Sequence, residues 1–270
     1  MLSEAIHVAV PTAFDKDENL DTIATIKHIQ HLAEAGVRSV LLAGSTGEQH
    51  SMSTDEKIEL AKAVNKTSIS HDLECLFGVS AVRQKDAENL LTALNELDSI
   101  KAILLGFPPY IRPCQKELLF YIRSLVNLSQ KPVILYDNLA RTGTGLDFKG
   151  WQEVLDLPQV IGVKNLSEKS WIAPLKARYP YLHFYAGGEE ELLSNIEAGC
   201  TRLSSVIGNL YPQQILEEVA PLLEGKSHCI SSDLQDKIDQ LSRHSSVPYL
   251  KEKIGQQGLA MYCRAPLGQK

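Results

Sequence analysis

The sequence predicts an α/β fold, a (β/α)8 barrel carrying a helical appendage at its carboxyl end, and three observations support this. Short apolar runs alternate with longer stretches of helical period from near the start to about residue 224. Roughly eight strand and helix pairs in roughly 220 residues is the arithmetic of such a barrel. The competing doubly wound sheet would carry G-x-G-x-x-G after its first strand or a P-loop, and the chain has neither.

The strand candidates in order are IHVAV, VRSVLLAG, LECLFGV, IKAILLG, PVILYD, VIGVK, LHFYAG and a weaker RLSSVIG. Between the first two, DTIATIKHIQHLAEAG reads as a helix with Ile23, Ile26, Ile29 and Leu32 on one face and Gly36 as its stop. STDEKIELAKAVNK opens on Ser53 or Thr54 with acids in its first turn, where the helix dipole favours them. Beyond the eighth pair, SSDLQDKIDQLSRH and VPYLKEKIGQQGLAMY are helical in period, with Pro248 near the second start. Residues 1–224 are therefore expected to form the barrel and 225–270 helices packed on it. No repeat, low-complexity run or long Gly/Ser linker asks for a separate unit.

The 270 residues are 44% hydrophobic and 22% charged, an ordinary globular composition. A net charge of -6 gives no basic footprint for nucleic acid or an anionic membrane. No run approaches the ~18 apolar residues of a membrane span, and MLSEAIHVAV has an acid where a secretory signal has bases, so a cytoplasmic protein is expected. The five cysteines are scattered without a C-x-x-C pair, which reads as reduced packing residues rather than disulfides or a thiolate metal site. His28, His31 and Glu34 stand at helical spacing, a pattern read as a solvated polar face rather than metal ligands.

Barrel active sites are built at the carboxyl ends of the strands, and four strands end unusually. Strand two runs into Gly44-Ser45-Thr46-Gly47-Glu48, strand four into Pro108-Pro109-Tyr110, strand five into Tyr136-Asp137-Asn138 and strand six into Lys164. An ammonium is costly to desolvate, so a lysine held among apolar walls loses part of its preference for charge. At an ordinary pKa of about 10.4 fewer than ~1 in 1,000 amines are free at neutral pH, and a shift of two or three units raises that by ~100- to 1,000-fold. Such an amine can form a Schiff base with a ketone. Taken alone, Lys164 could instead snorkel outward or pair with Glu48 or Glu168. Ser45 and Thr46 could offer hydroxyls and backbone N–H groups to a small carboxylate, or simply form a turn. Tyr136 could relay protons beside the amine, or merely pack.

Taken together, GSTGE at 44–48, PPYIRP at 108–113, LYDNLARTG at 135–143 and IGVK at 161–164 resemble the dihydrodipicolinate synthase and N-acetylneuraminate lyase family in order and spacing. The likeness runs from VPTAFDKDENLD through AGGEE at 186–190 to VPYLKEK. It implies a Schiff base between pyruvate and Lys164, with Tyr136 shuttling protons and Ser45 and Tyr110 continuing the relay. Thr46 and its backbone would hold the pyruvate carboxylate, and Gly187 would let substrate approach the chain. Arg141 matches the arginine with which the synthase branch holds the carboxylate of aspartate semialdehyde. No metal or organic cofactor is implied. The resemblance implies a homo-oligomer, dimer or tetramer, since family members are usually tetramers built from tight dimers in which the tyrosine matching Tyr110 reaches a neighbour's site.

Departures from the synthase pattern temper these expectations. Pro109 stands where a second tyrosine is common, and Gln49, Val82 and Asp86 match poorly the residues that bind inhibitory lysine, so feedback inhibition is not expected. Arg202 and Ser204 replace a glycine and an apolar residue, and Ser204 is placed against the floor of the pyruvate site, with Arg202 near the rim or capping a loop. Two alternatives stay open: a retro-aldol lyase of N-acetylneuraminate or a 2-keto-3-deoxy sugar acid, and a barrel that binds a keto acid without turnover.

Overall fold

The structure, a computed structural model, describes residues 2–67 and 73–268. Parallel strands close into a ring in sequence order: β1 (Ile6–Ala9), β2 (Ser39–Leu42), β3 (Glu74–Val79), β4 (Ile100–Gly106), β5 (Val133–Tyr136), β6 (Val160–Lys164), β7 (His183–Ala186) and β8 (Arg202–Ser205). The ring shuts where β1 meets β8, with Ile6 opposite Leu203 and His7 opposite Ser204. Around it run α1 (Thr22–Glu34), α2 (Thr54–Asn65), α3 (Gln84–Asn95), α4 (Gln115–Leu128), α5 (Leu139–Thr142), α6 (Phe148–Leu155), α7 (Ile172–Arg178), α8 (Leu192–Ala198) and α9 (Pro212–Leu223). Two more helices, α10 (Ser232–Ser242) and α11 (Ser246–Gln256), follow. The fold is thus the (β/α)8 TIM barrel that the alternation predicts.

The strands read as unbroken apolar runs because both of their faces are buried. Alternate side chains point to opposite sides of a strand. Leu41, Leu76, Leu104, Ile134 and Tyr185 fill the barrel interior with Leu2, while Val40, Phe77, Ile103, Leu135 and Phe184 face the helices. Ser53 starts α2 with a capping box: Glu56 N–H donates to its hydroxyl at 3.2 Å, and Ser53 N–H donates to the Glu56 carboxylate at 2.8 Å. Gly78 of β3 lies so close to the Ala43 carbonyl that a Cβ there would overlap it. Only glycine lets β3 press against the chain leaving β2.

On α1 the buried positions are Ala24, Thr25, His28, Ile29 and Leu32, and Ile23 is 67% exposed. At 3.6 residues per turn a run of i+3 steps drifts, so Ile23 and Leu32 fall on opposite sides of the helix. The same geometry corrects His28: it is buried, and its Nε2 lies 2.9 Å from Asn209 Oδ1. Only His31 and Glu34 of that trio face solvent.

Candidate active site

The register sets Tyr136 beside Lys164 on adjacent strands, at their carboxyl ends. Lys164 is 6% exposed, and its Nζ stands 4.8 Å from the centre of the Tyr136 ring. Burial pulls the Lys164 pKa below the ordinary lysine value; the charges of Tyr136 and Glu189 oppose this, and Arg141 adds to it. Burial alone would raise the Tyr136 pKa, but Lys164, hydrogen bonds with Ser45 and Asn138, and Arg141 hold it below the usual phenol range. The Asn138 amide donates to the phenol oxygen at 2.8 Å. An amine biased toward its free base thus faces a phenol biased toward ionisation, the pairing that proton transfer near neutrality requires.

Neither carboxylate considered from the sequence is the partner of this lysine. Glu48 is buried against Lys251, and exposed Glu168 accepts from Ser170 at 2.7 Å. Glu189 is the carboxylate whose charge reaches Lys164. It is buried, with its pKa raised by that burial and partly restored by donors from Ser205 and Val206.

Two cavities of about 300 and 320 Å³ meet at the mouth, sharing Ser45, Tyr136, Asn138 and Arg141. The first is apolar, walled by Val79, Leu104 and Phe107. The second is polar and holds Thr46, Lys164, Gly187, Glu189 and Glu190, with Ser242 of α10, His244 of the connection and Ser246 of α11 closing it. Arg141 sits in the last turn of α5, whose cap Asn138 accepts from Arg141 N–H at 3.2 Å. Its guanidinium makes no salt bridge among the described residues, which leaves the cation available to a ligand rather than committed to bracing a loop.

The loops are fixed from behind. Asp137 accepts from Ser167 N–H at 2.9 Å, and its carbonyl accepts from the Asn165 amide at 3.0 Å, tying the ends of β5 and β6 together. Asn165 adopts a left-handed φ of 56°, and its side chain occupies the space that a Cβ on Gly187 would need. The bare backbone of Gly187 therefore makes room for Asn165 as well as for a ligand.

The structure gathers Lys164, Tyr136, Ser45, Thr46, Arg141 and Gly187 around one mouth. Tyr110 is elsewhere: it is 86% exposed at a left-handed φ of 74° and lines neither cavity of its own chain. Ser204 is a correction, since it is buried opposite His7 without a hydrogen-bond partner and does not reach the cavity, whose β8-side wall is Val206. Arg202 is another. It opens β8 and so sits at the amino end, away from the mouth, where it donates to the carbonyls of Glu4 and Leu2. Asn138 and Glu189 were not singled out from the sequence; Glu189 lies in the quoted AGGEE run, but nothing local distinguishes it from Glu190.

A barrel that keeps one amine dry at its catalytic end can hold a carbonyl compound as an imine, which defines a lyase of the class I aldolase type. The chain belongs to the dihydrodipicolinate synthetase family, which it matches over residues 2–270. It is 24% identical to a 4-hydroxy-tetrahydrodipicolinate synthase of Leuconostoc mesenteroides over 253 residues, covering 93% of this chain and 88% of that one. Dihydrodipicolinate synthase from Aquifex aeolicus superposes with a TM-score of 0.90 at 20% identity, covering 98% of this chain and 92% of its own. A protein from Clostridium difficile, solved in complex with mannosamine, gives a TM-score of 0.87 at 22% identity over 98% and 92%.

Proposed function

We propose that the enzyme condenses pyruvate with aspartate semialdehyde, the 4-hydroxy-tetrahydrodipicolinate synthase reaction of lysine and diaminopimelate biosynthesis. One observation carries this reading: the buried amine of Lys164 shares its cavity with a guanidinium, Arg141, that pairs with no carboxylate among the described residues. Such a mouth suits a keto acid inside and a second carboxylate at the rim. The relatives named as synthases of this kind support it.

In this scheme the neutral Lys164 amine adds to the pyruvate ketone, and the alkoxide takes a proton through Tyr136. Loss of water from the carbinolamine gives a protonated imine, whose positive nitrogen acts as the electron sink. A methyl proton then leaves, and the resulting enamine adds through its methylene carbon to the aldehyde. The amine of the semialdehyde next displaces Lys164 in ring closure and returns it free. Thr46 and its loop hold the pyruvate carboxylate, and Ser45 passes protons from the phenol toward solvent.

Tyr136→Phe keeps the ring over Lys164 but removes the proton carrier. It should lower kcat by ~100-fold or more while slow pyruvate imine formation persists. Single-turnover kinetics with borohydride trapping would show this, and unchanged turnover would remove the phenol from the scheme.

A second reading, retro-aldol cleavage of N-acetylneuraminate or a 2-keto-3-deoxy sugar acid, draws on one feature, the Glu189 and Glu190 carboxylates of the polar cavity, which suit hydroxyl groups. A substrate panel decides between them. Turnover of pyruvate with aspartate semialdehyde, and none of the sugar acids, is expected; the reverse pattern would replace the synthase reading.

A further inference from the structure

Behind the loop that carries Ser45 and Thr46 lies a charged cluster with no role in the chemistry above. Glu48 closes that loop. It is 0% exposed, holds a left-handed φ of 50°, and its N–H donates to the Ser45 carbonyl at 3.1 Å. Its carboxylate is gripped by the carboxyl-terminal segment: Lys251 Nζ of α11 donates to Oε1, and Arg264 N–H donates to Oε2 at 3.1 Å. Lys251 is itself 2% exposed and spends a second donor on the Tyr262 carbonyl at 2.8 Å. The Arg264 guanidinium bonds the Ser51 and Glu18 carbonyls, each at 2.8 Å, and forks onto Glu56 of α2. Phe14 lies between the two cations, 4.6 Å from Lys251 and 4.1 Å from Arg264.

Lys251 and Arg264 are thus set against Glu48 and Glu56, with the Glu18 carboxylate close by accepting from Ala265 N–H at 3.2 Å, and these contacts join the segment after α10 to the chain around β1 and β2. A buried ion pair is weak evidence for stability, because desolvating both charges offsets most of their attraction. Its directional hydrogen bonds nevertheless fix geometry. Here the fixed element is the loop whose neighbouring residues bind and relay. The same segment supplies His244 and Ser246 to the wall that Lys164 shares, so clamp and cavity wall belong to one unit.

We propose that Glu48, Lys251 and Arg264 are positioning residues, through which the carboxyl-terminal segment holds Ser45 and Thr46 in register for the pyruvate carboxylate. This rests on the pyruvate reading given above. A misplaced carboxylate site weakens binding before it touches the imine chemistry, so the signature is a split between KM and kcat.

The test is the double variant Glu48→Gln with Lys251→Met, which removes both buried charges together and leaves neither unpaired. It should fold, keep kcat within ~3-fold, and raise the pyruvate KM by ~10-fold or more, with the concentration dependence of borohydride trapping on Lys164 shifted equally. Arg264→Gln loosens the outer strap while leaving the inner pair in place, and should raise the same KM by a smaller factor even if the double variant fails to fold. A folded double variant with the wild-type pyruvate KM, or an Arg264→Gln enzyme that loses kcat rather than affinity, overturns the proposal. Absence of trapping in the wild-type enzyme would count instead against the pyruvate reading itself.

Discussion

Lys164→Met should abolish turnover, by ~10⁴-fold or more, and leave no borohydride-reducible adduct with pyruvate, yet yield a protein about 1 kcal/mol more stable than the wild type. The two effects share a cause. Lys164 is buried and makes no salt bridge among the described residues, so the charges of Tyr136 and Glu189 only partly offset the removal of its ammonium from water. Methionine keeps an unbranched chain of similar reach without the charge. The sign follows from linkage: with the folded pKa below the ordinary value, the unfolded chain binds more protons between the two pKa values. Wild-type stability contributed by this group therefore rises with pH across that window, and the methionine variant should lack that rise. Activity moves in the same sense, since kcat/KM should fall as acid protonates the amine. Denaturant titrations at two pH values and intact-mass spectra after trapping would check both. A methionine variant clearly less stable than wild type, or one still modified by pyruvate, would remove Lys164 from the centre of the scheme.

The fold was legible because a parallel barrel buries both faces of every strand, so VIGVK and IKAILLG stand out as runs that coincide with β6 and β4. Helix faces were less so. Spacing of three looks periodic along α1, but the burial follows 24/25, 28/29 and 32, where Ala24, Thr25 and His28 carry no strong apolar signal. His28 reads as polar, and only its distant partner Asn209 explains why it is inside.

Within the site, Lys164 announced itself because a cation ending an apolar strand needs a reason. What stayed hidden depends on contacts between strands. Glu48 was a reasonable counter-ion for Lys164 by loop position, yet its partner Lys251 lies 203 residues further along the chain. The fit of Asn165 into the space beside Gly187 belongs to two neighbouring strands and has no local signature. For Arg202 the rim and a loop cap both stood open, and strand polarity, which places the first residue of β8 at the opposite end, decides for the cap.

Arg141→Ala should cut kcat/KM for aspartate semialdehyde by ~100- to 1,000-fold while the pyruvate adduct on Lys164 still forms at near wild-type concentrations. The guanidinium stands over both cavities at the last turn of α5, where no carboxylate among the described residues competes for it. A planar fork can meet a carboxylate through two charge-assisted hydrogen bonds, which an alanine cannot replace. Arg141 has a second, weaker influence, because its charge helps depress the pKa of Lys164 and of Tyr136. Removing it raises both, so the acid limb of the pyruvate-dependent step should move to higher pH. Arg141→Lys separates the two roles: it keeps the charge, and so the position of that limb, but loses the fork and most of the semialdehyde specificity. Equal loss of pyruvate trapping and semialdehyde use in the alanine variant would show that Arg141 serves the inner site instead, and an unaffected semialdehyde KM would leave the second carboxylate to another residue of the mouth.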